Sequence, residues 1–150
     1  MPPDLVIRGK RVVLPNSTAP ASIHILAGTI VDIGPYDDVP ERCKLVNASD
    51  ESIIMAGLVD SHVHINEPGR SDWEGFASAT RAAAAGGVTT LVDMPLNSIP
   101  PTTSVAGLNA KLTAAHGQCY VDVGFWGGVV PGNTNELAAL SAAGVVGFKC

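Results

Sequence analysis

The chain has 150 residues, of which 46% are hydrophobic and 15% charged, and its formal net charge is −5. That length suits one ordinary domain, and the apolar share excludes an intrinsically disordered chain. The acidic balance, with no basic run or Arg/Lys stripe, excludes a nucleic-acid-binding surface.

Up to about Met55 the sequence reads as a set of short strands. Leu5–Arg8 and Arg11–Leu14 flank Gly9-Lys10, which predicts a hairpin turn. Ser22–Leu26 and Thr29–Ile33 flank Ala27-Gly28 in the same way. Residues 15–20 and 34–40 are loops rich in chain breakers. The expected result is a small antiparallel β unit. His24 alternates with Ile23 and Ile25, which predicts a place on its solvent face.

From Gly57 the pattern changes to alternating strands and helices. The apolar run Gly57-Leu58-Val59 opens a strand to Val63 that reads as fully buried, the kind found in parallel sheets. A helix is predicted over Trp73–Ala85, started by the capping box Ser71-Asp72-Trp73-Glu74 and ended by Gly86-Gly87. Trp73 and Phe76, three residues apart, read as its core face. Val88–Asp93 is a second buried strand, and Ser104–His116 a second helix ended by Gly117. His116 reads as a cation on that helix's C-terminal dipole. Tyr120–Phe125 is a third strand, Asn135–Ala143 a third helix ended by Gly144, and Val145–Lys149 a fourth strand.

Units of roughly 25–30 residues are the spacing of parallel crossovers. The fold class is therefore α/β, either part of a TIM (β/α)8 barrel or a doubly wound sheet. A doubly wound nucleotide-binding sheet calls for a glycine fingerprint after its first strand, and His62-Val63-His64-Ile65-Asn66-Glu67-Pro68-Gly69-Arg70 is not one. The barrel is preferred. Four strands cannot close a barrel, so the sequence is expected to be the truncated front part of a longer protein or a short isoform.

The chemistry concentrates in Asp60-Ser61-His62-Val63-His64. Residues i and i+2 of a strand share a face, so both imidazoles can reach one metal ion. Structural zinc sites usually take four protein ligands, often thiolates, and this stretch has none, which points to a catalytic site. Asp60 is expected to orient a ligand histidine from behind. A barrel carries its chemistry at the C-terminal ends of its strands, where Lys149 also falls. Glu67 and Arg70 lie in the loop after the first strand, while Asp93 and Asp122 fall in or at the ends of strands. Cys43, Cys119 and Cys150 are odd in number, widely spaced and without a CxxC, the pattern of reduced intracellular thiols. No signal segment opens the chain, and its apolar runs are too short to span a bilayer. The expectation is a soluble cytoplasmic protein without a membrane partner.

Gly57–His64 resembles the first-strand signature of the amidohydrolase superfamily. The β unit before it resembles that superfamily's small N-terminal β-sandwich, which a C-terminal tail normally completes. Within the superfamily the resemblance is closest to the allantoinase family. It is carried by His64–Arg70, Trp73-Glu74-Gly75-Phe76, Gly86–Thr90, Asp93–Thr102 and Gly144–Cys150. It implies two domains, a β-sandwich segment over 1–56 and the first half of an amidohydrolase TIM barrel over 57–150. Ala56 departs from the proline usual before the first-strand glycine, at a position that shapes strand entry and touches no metal. Similar dihydroorotases carry an arginine for the substrate carboxylate where this chain has Asn66, which suits the neutral substrate allantoin.

The resemblance implies two divalent metal ions, usually zinc, about 3.5–4 Å apart. His62 and His64 would bind the more buried ion. Lys149 matches the lysine that the family carboxylates with CO2. An ammonium has no lone pair for a metal, whereas a carbamate supplies anionic oxygens able to bridge two ions. Asn66 and Asn97 would contact substrate. The general base is an aspartate expected beyond Cys150, as are two further histidine ligands, so no catalytic residue is expected within 1–150 and the isolated fragment is expected to be inactive. The implied reaction opens the hydantoin ring of allantoin to allantoate, in purine catabolism, by a homotetramer. The alternatives are a hydantoinase- or dihydropyrimidinase-type cyclic amidase, or a non-catalytic truncated product.

Overall fold

In the computed structural model, which describes residues 1–150, the first hairpin turns at Pro15-Asn16 and not at Gly9-Lys10. Strand β1 (Leu5–Leu14) runs straight through the glycine and pairs antiparallel with β2 (Ser17–Leu26). Gly9 faces Ala21 and Val12 faces Ala19, so three steps on β1 oppose two on β2. This is a β-bulge, the other common meaning of a glycine inside a strand. A Cβ on Gly9 would come within 2.8 Å of the Ile54 side chain. The second turn is where the sequence predicts it. Ala27 and Gly28 both take positive φ, 49° and 79°, as a tight two-residue hairpin to β3 (Thr29–Gly34) requires.

Two compact units divide the chain, Met1–Ala56 and Gly57–Cys150. In the first, the strand order is β3-β2-β1-β4, and β4 (Lys44–Asn47) lies parallel to β1. The sheet is therefore mixed, where a wholly antiparallel unit was expected. All four β4 residues are exposed, so no buried face gives the segment a period to read. His24 also departs from expectation. It is only 5% exposed, beside Val6 on the covered face. Its Nε2 lies 2.9 Å from the Asp38 carbonyl and 3.1 Å from Ser22 Oγ. The alternation is as read, but the loop after β3 covers that face and supplies the polar partner a buried imidazole needs.

In the second unit β5 (Leu58–Val63), β6 (Val88–Asp93) and β7 (Asp122–Phe125) form a parallel sheet in that order. After Trp126 the chain continues as β8 (Gly127–Gly128), which pairs parallel with β9 (Phe148–Lys149). The Val146 N–H donates to the Phe125 carbonyl and the Gly127 N–H to the Gly147 carbonyl, so hydrogen bonding passes from β6 on one side to the β9 segment on the other. Four parallel segments result, joined through α1 (Phe76–Ala85), α2 (Val105–Ala115) and α3 (Leu137–Ala142). The core between sheet and helices holds Ile65, Phe76, Leu91, Leu108, Phe125 and Leu140. Phe76 meets Phe125 edge to face, with centroids 6.1 Å apart. Each such side chain, fully buried, contributes about 1.5–3 kcal/mol.

The expectation of a fully buried first strand is not met. Leu58 is 50% and Val59 64% exposed, because β5 lies at the sheet edge with β6 as its one neighbour. Helix α1 starts three residues later than the capping box predicts, and Trp73 is 66% exposed rather than core. The segment ahead of it closes on itself, the Asn66 N–H donating to the Glu74 carbonyl and the Trp73 N–H to the Arg70 carbonyl. The helix is capped from a distance instead. Glu67 Oε2 accepts the Phe76 N–H at 2.9 Å, a carboxylate on the positive end of the helix. Glu67 also bears on Cys119, whose thiol is pushed up by burial first and by this charge second. All three cysteines are free, and no helix is long and apolar enough to cross a membrane.

Ser104 caps α2, its hydroxyl accepting the Gly107 N–H at 3.2 Å. A Cβ on Gly107 would collide with the Pro101 carbonyl oxygen. Alanine for glycine in a helix ordinarily adds about 1 kcal/mol of stability. Here the sign reverses: Gly107→Ala is expected to lower the urea midpoint, and a midpoint at or above that of the parent would show that the Pro101 turn yields freely.

Candidate functional site

Three strand ends meet at one pocket. His62 and His64 come from the end of β5, Met94, Pro95, Leu96 and Asn97 from the turn after β6, and Lys149 from β9, with Cys150 beside it. The cavity is about 260 Å³, close to the lower bound of small-molecule clefts, roughly 300 Å³. It lies at the C-terminal ends of parallel strands, as the sequence predicts for a barrel.

The end of β5 is irregular. Asp60 faces Leu91 and Val63 faces Asp93, so β5 carries one extra residue around Ser61 and His62. Such a bulge re-aims side chains and leaves backbone groups without ladder partners. Asp60 Oδ1 accepts the His62 N–H at 3.0 Å, so it braces the backbone of the histidine rather than its ring. The two imidazole centroids are 5.3 Å apart and tilted by 49°. A tetrahedral ion with metal–nitrogen bonds of about 2.0–2.1 Å would hold two imidazole centroids roughly 5 Å apart. The pair therefore fits a divalent metal on spacing alone. Lys149 lines the same cavity, and no Asp or Glu is among its lining residues.

A buried ion pair underlies the rim. Asp93, at the end of β6, and Lys111, on α2, are both 0% exposed, and Lys111 Nζ donates to Asp93 Oδ2 at 2.6 Å and to the Met94 carbonyl at 3.0 Å. Asp93 Oδ1 accepts the N–H of Ile65, the residue after His64, at 2.6 Å. Before His64, the Met94 N–H donates to the Val63 carbonyl at 2.8 Å. The backbone on both sides of His64 is thus tied to β6. Burial pushes the Asp93 carboxyl above its ordinary value, against the opposing pull of the Lys111 ammonium and the Ile65 N–H. The sequence reading missed Lys111, because a lysine is surface by default. A signal was present, since Lys111 follows Leu108 by three residues and shares its buried stripe.

Other predicted residues fall as follows. Asn97 lines the pocket, and its carbonyl accepts from Arg70 Nη1 at 3.3 Å, with the Arg70 guanidinium stacked over Trp73. Asn66 is only 8% exposed and is not among the pocket's lining residues. Its carbonyl accepts the Arg70 N–H within the loop after β5. Asp122 is exposed at the start of β7, at the opposite end from the pocket. His116 caps the C-terminus of α2. In the first unit His24, Asp32 and Asp38 bring possible ligand atoms within 4.8 Å of one another. The His24 Nε2 is already bonded within the fold, so this group reads as packing.

Residues 53–146 match the amidohydrolase family. The chain is 52% identical, over 97% of its length and 33% of the relative's, to a protein of Streptomyces avermitilis named allantoinase. It is 54% identical, over 97% of its length and 30% of the relative's, to one of Aquarana catesbeiana named mitochondrial allantoinase. Among solved structures it resembles the L-hydantoinase (dihydropyrimidinase) of Arthrobacter aurescens, at 31% identity and a TM-score of 0.89, over 99% of this chain and 32% of that one. The chain thus spans about a third of the length of the relatives it matches.

Proposed function

The chain belongs to the amidohydrolase family, and on that premise we propose that it is the front part of a metal-dependent cyclic amidase that opens the hydantoin ring of allantoin. The observation that carries this reading is the convergence of His62, His64 and Lys149 on one cavity at the C-terminal strand ends, in a chain about half identical to proteins named allantoinase. His62 and His64 would hold one of two divalent ions, zinc in this reading, and Lys149, as its carbamate, would help hold both. Bound there, such ions supply a hydroxide nucleophile at neutral pH and polarise the scissile carbonyl.

The chain's own residues do the rest of what can be assigned to it. The bulge at Ser61 and His62 aims the imidazoles, and the ties at Val63 and Ile65 hold the backbone on both sides of His64. Asn97, steadied through its carbonyl by Arg70, offers an amide able to hydrogen-bond a neutral ureido-hydantoin. The pocket's lining residues include no Asp or Glu, and in this reading the proton acceptor for ring opening is an aspartate in the remainder of a full-length, tetrameric enzyme.

A second reading, a hydantoinase or dihydropyrimidinase, is favoured by the fold likeness to the Arthrobacter aurescens structure. Ring opening of allantoin, hydantoin and dihydrouracil by the protein of relatives' length, before and after chelation and zinc return, decides between them. The expected result is zinc-restored turnover of allantoin in preference to the other two. A preference for dihydrouracil supports the second reading, and turnover untouched by metal removal overturns both. The isolated 150-residue chain is expected to hydrolyse none of the three.

A further inference from the structure

The bulge in β5 leaves two backbone groups to be satisfied near His62. Asp60 takes one, the His62 N–H. The other, the carbonyl of Ser61, accepts the indole Nε1–H of Trp126 at 2.9 Å. Trp126 belongs to the junction between β7 and β8, so its ring reaches back past β6 to the far edge of the sheet. Its own backbone is held, its N–H donating to the Asp93 carbonyl at 3.0 Å. The other side of the indole rests on Gly147, where a Cβ would lie 2.5 Å from ring atom Cζ3. Ser61 is the residue before His62, and Gly147 lies two residues before Lys149.

We propose that Trp126 is a positioning residue whose indole, bonded to Ser61 and seated on Gly147, sets the separation between the histidine strand end and the lysine strand end. This deepens the metal-centre reading above and rests on it. Trp126 is not among the residues that line the pocket, and in this role it acts through the backbone of the two strands. A rigid two-ring side chain suits this task, since its length is fixed once its two torsions are set. Glycine at 147 is then a requirement of contact, because any side chain there would displace the ring.

The test uses the intact protein and three variants, Trp126→Phe, Gly147→Ala and the double substitution. Phenylalanine keeps a ring and removes the donor. Loss of a partner that orients metal ligands typically weakens metal holding by 10–100-fold. Trp126→Phe is expected to raise the zinc dissociation constant, measured by chelator competition, by about tenfold, and to alter the visible spectrum of the cobalt(II)-loaded protein. The melting temperature of the metal-free protein should stay near that of the parent. Gly147→Ala should weaken zinc in the same direction, and the double variant should lose less than the sum of the two, as residues sharing one contact do. A Trp126→Phe protein with parental zinc affinity and cobalt spectrum overturns the proposal. So does zinc loss that only tracks a fall in the metal-free melting temperature, which would make the indole ordinary packing. If the parent protein itself holds no zinc or cobalt, the metal-centre reading fails first and takes this one with it.

Discussion

Replacing Lys111 with methionine is expected to destabilise the protein by about 3–5 kcal/mol, read as a lower urea midpoint. Methionine fills a similar volume, so the loss is electrostatic. It strands the Asp93 carboxylate at 0% exposure with only the Ile65 N–H as partner. The companion change Asp93→Asn removes the stranded charge while keeping an oxygen for Ile65. The double variant Lys111→Met/Asp93→Asn should therefore recover most of the loss, since a neutral buried pair lacks the desolvation cost of two ions. A cost below about 1 kcal/mol for Lys111→Met would show that the pair is not a buried ion pair in solution.

The same variant has a signed pH dependence. Burial already raises Asp93, and Lys111 is the largest opposing influence. Without Lys111 the folded carboxyl moves further above its unfolded value. The folded state then binds a proton that the unfolded state does not, and stability falls as pH rises through that window. The deficit of Lys111→Met should thus be smaller in mild acid than at neutral pH. A deficit that grows on acidification would contradict the assignment.

At the pocket, His62→Ala and His64→Ala in the intact protein are each expected to cost more than the roughly 100-fold that loss of an outer partner brings. Metal content should fall with activity, while the urea midpoint of the metal-free protein stays near that of the parent, since both rings are exposed. Lys149 separates two chemistries. If its role is a positive charge for substrate, Lys149→Arg retains activity. If it serves as a carbamate, arginine fails as completely as alanine, because a guanidinium stays protonated and cannot carry CO2 to a metal. The expected outcome is failure of both, with metal content reduced. Retained activity in Lys149→Arg would remove the carbamate from the proposal.

Much of the site was legible in the sequence because its signals are local. The His-x-His spacing puts both imidazoles at one strand end, where a bulge then aims them, and the glycines after each helix mark the repeat that carries Lys149 to the same rim. Asn97 came only with the family resemblance. Local reading failed where a partner far along the chain decided the outcome. His24 looked solvent-facing until the Asp38 loop covered it, and Gly9 looked like a turn until Ala19 and Ala21 revealed a bulge.

The sequence by itself thus determined the parallel strand–helix repeat, the glycine breaks that end its helices and the strand end that bears the histidines. All of these depend on periods of two or about 3.6 residues and on breakers between them. Tertiary structure alone decided which polar side chains are buried and what they hold. Lys111 beneath the pocket, Glu67 on the end of α1 and Trp126 bonded to Ser61 act across 18, 9 and 65 residues of chain. No local pattern records such bonds, because they exist only once the core has brought the segments together and excluded the water that would otherwise satisfy the same groups.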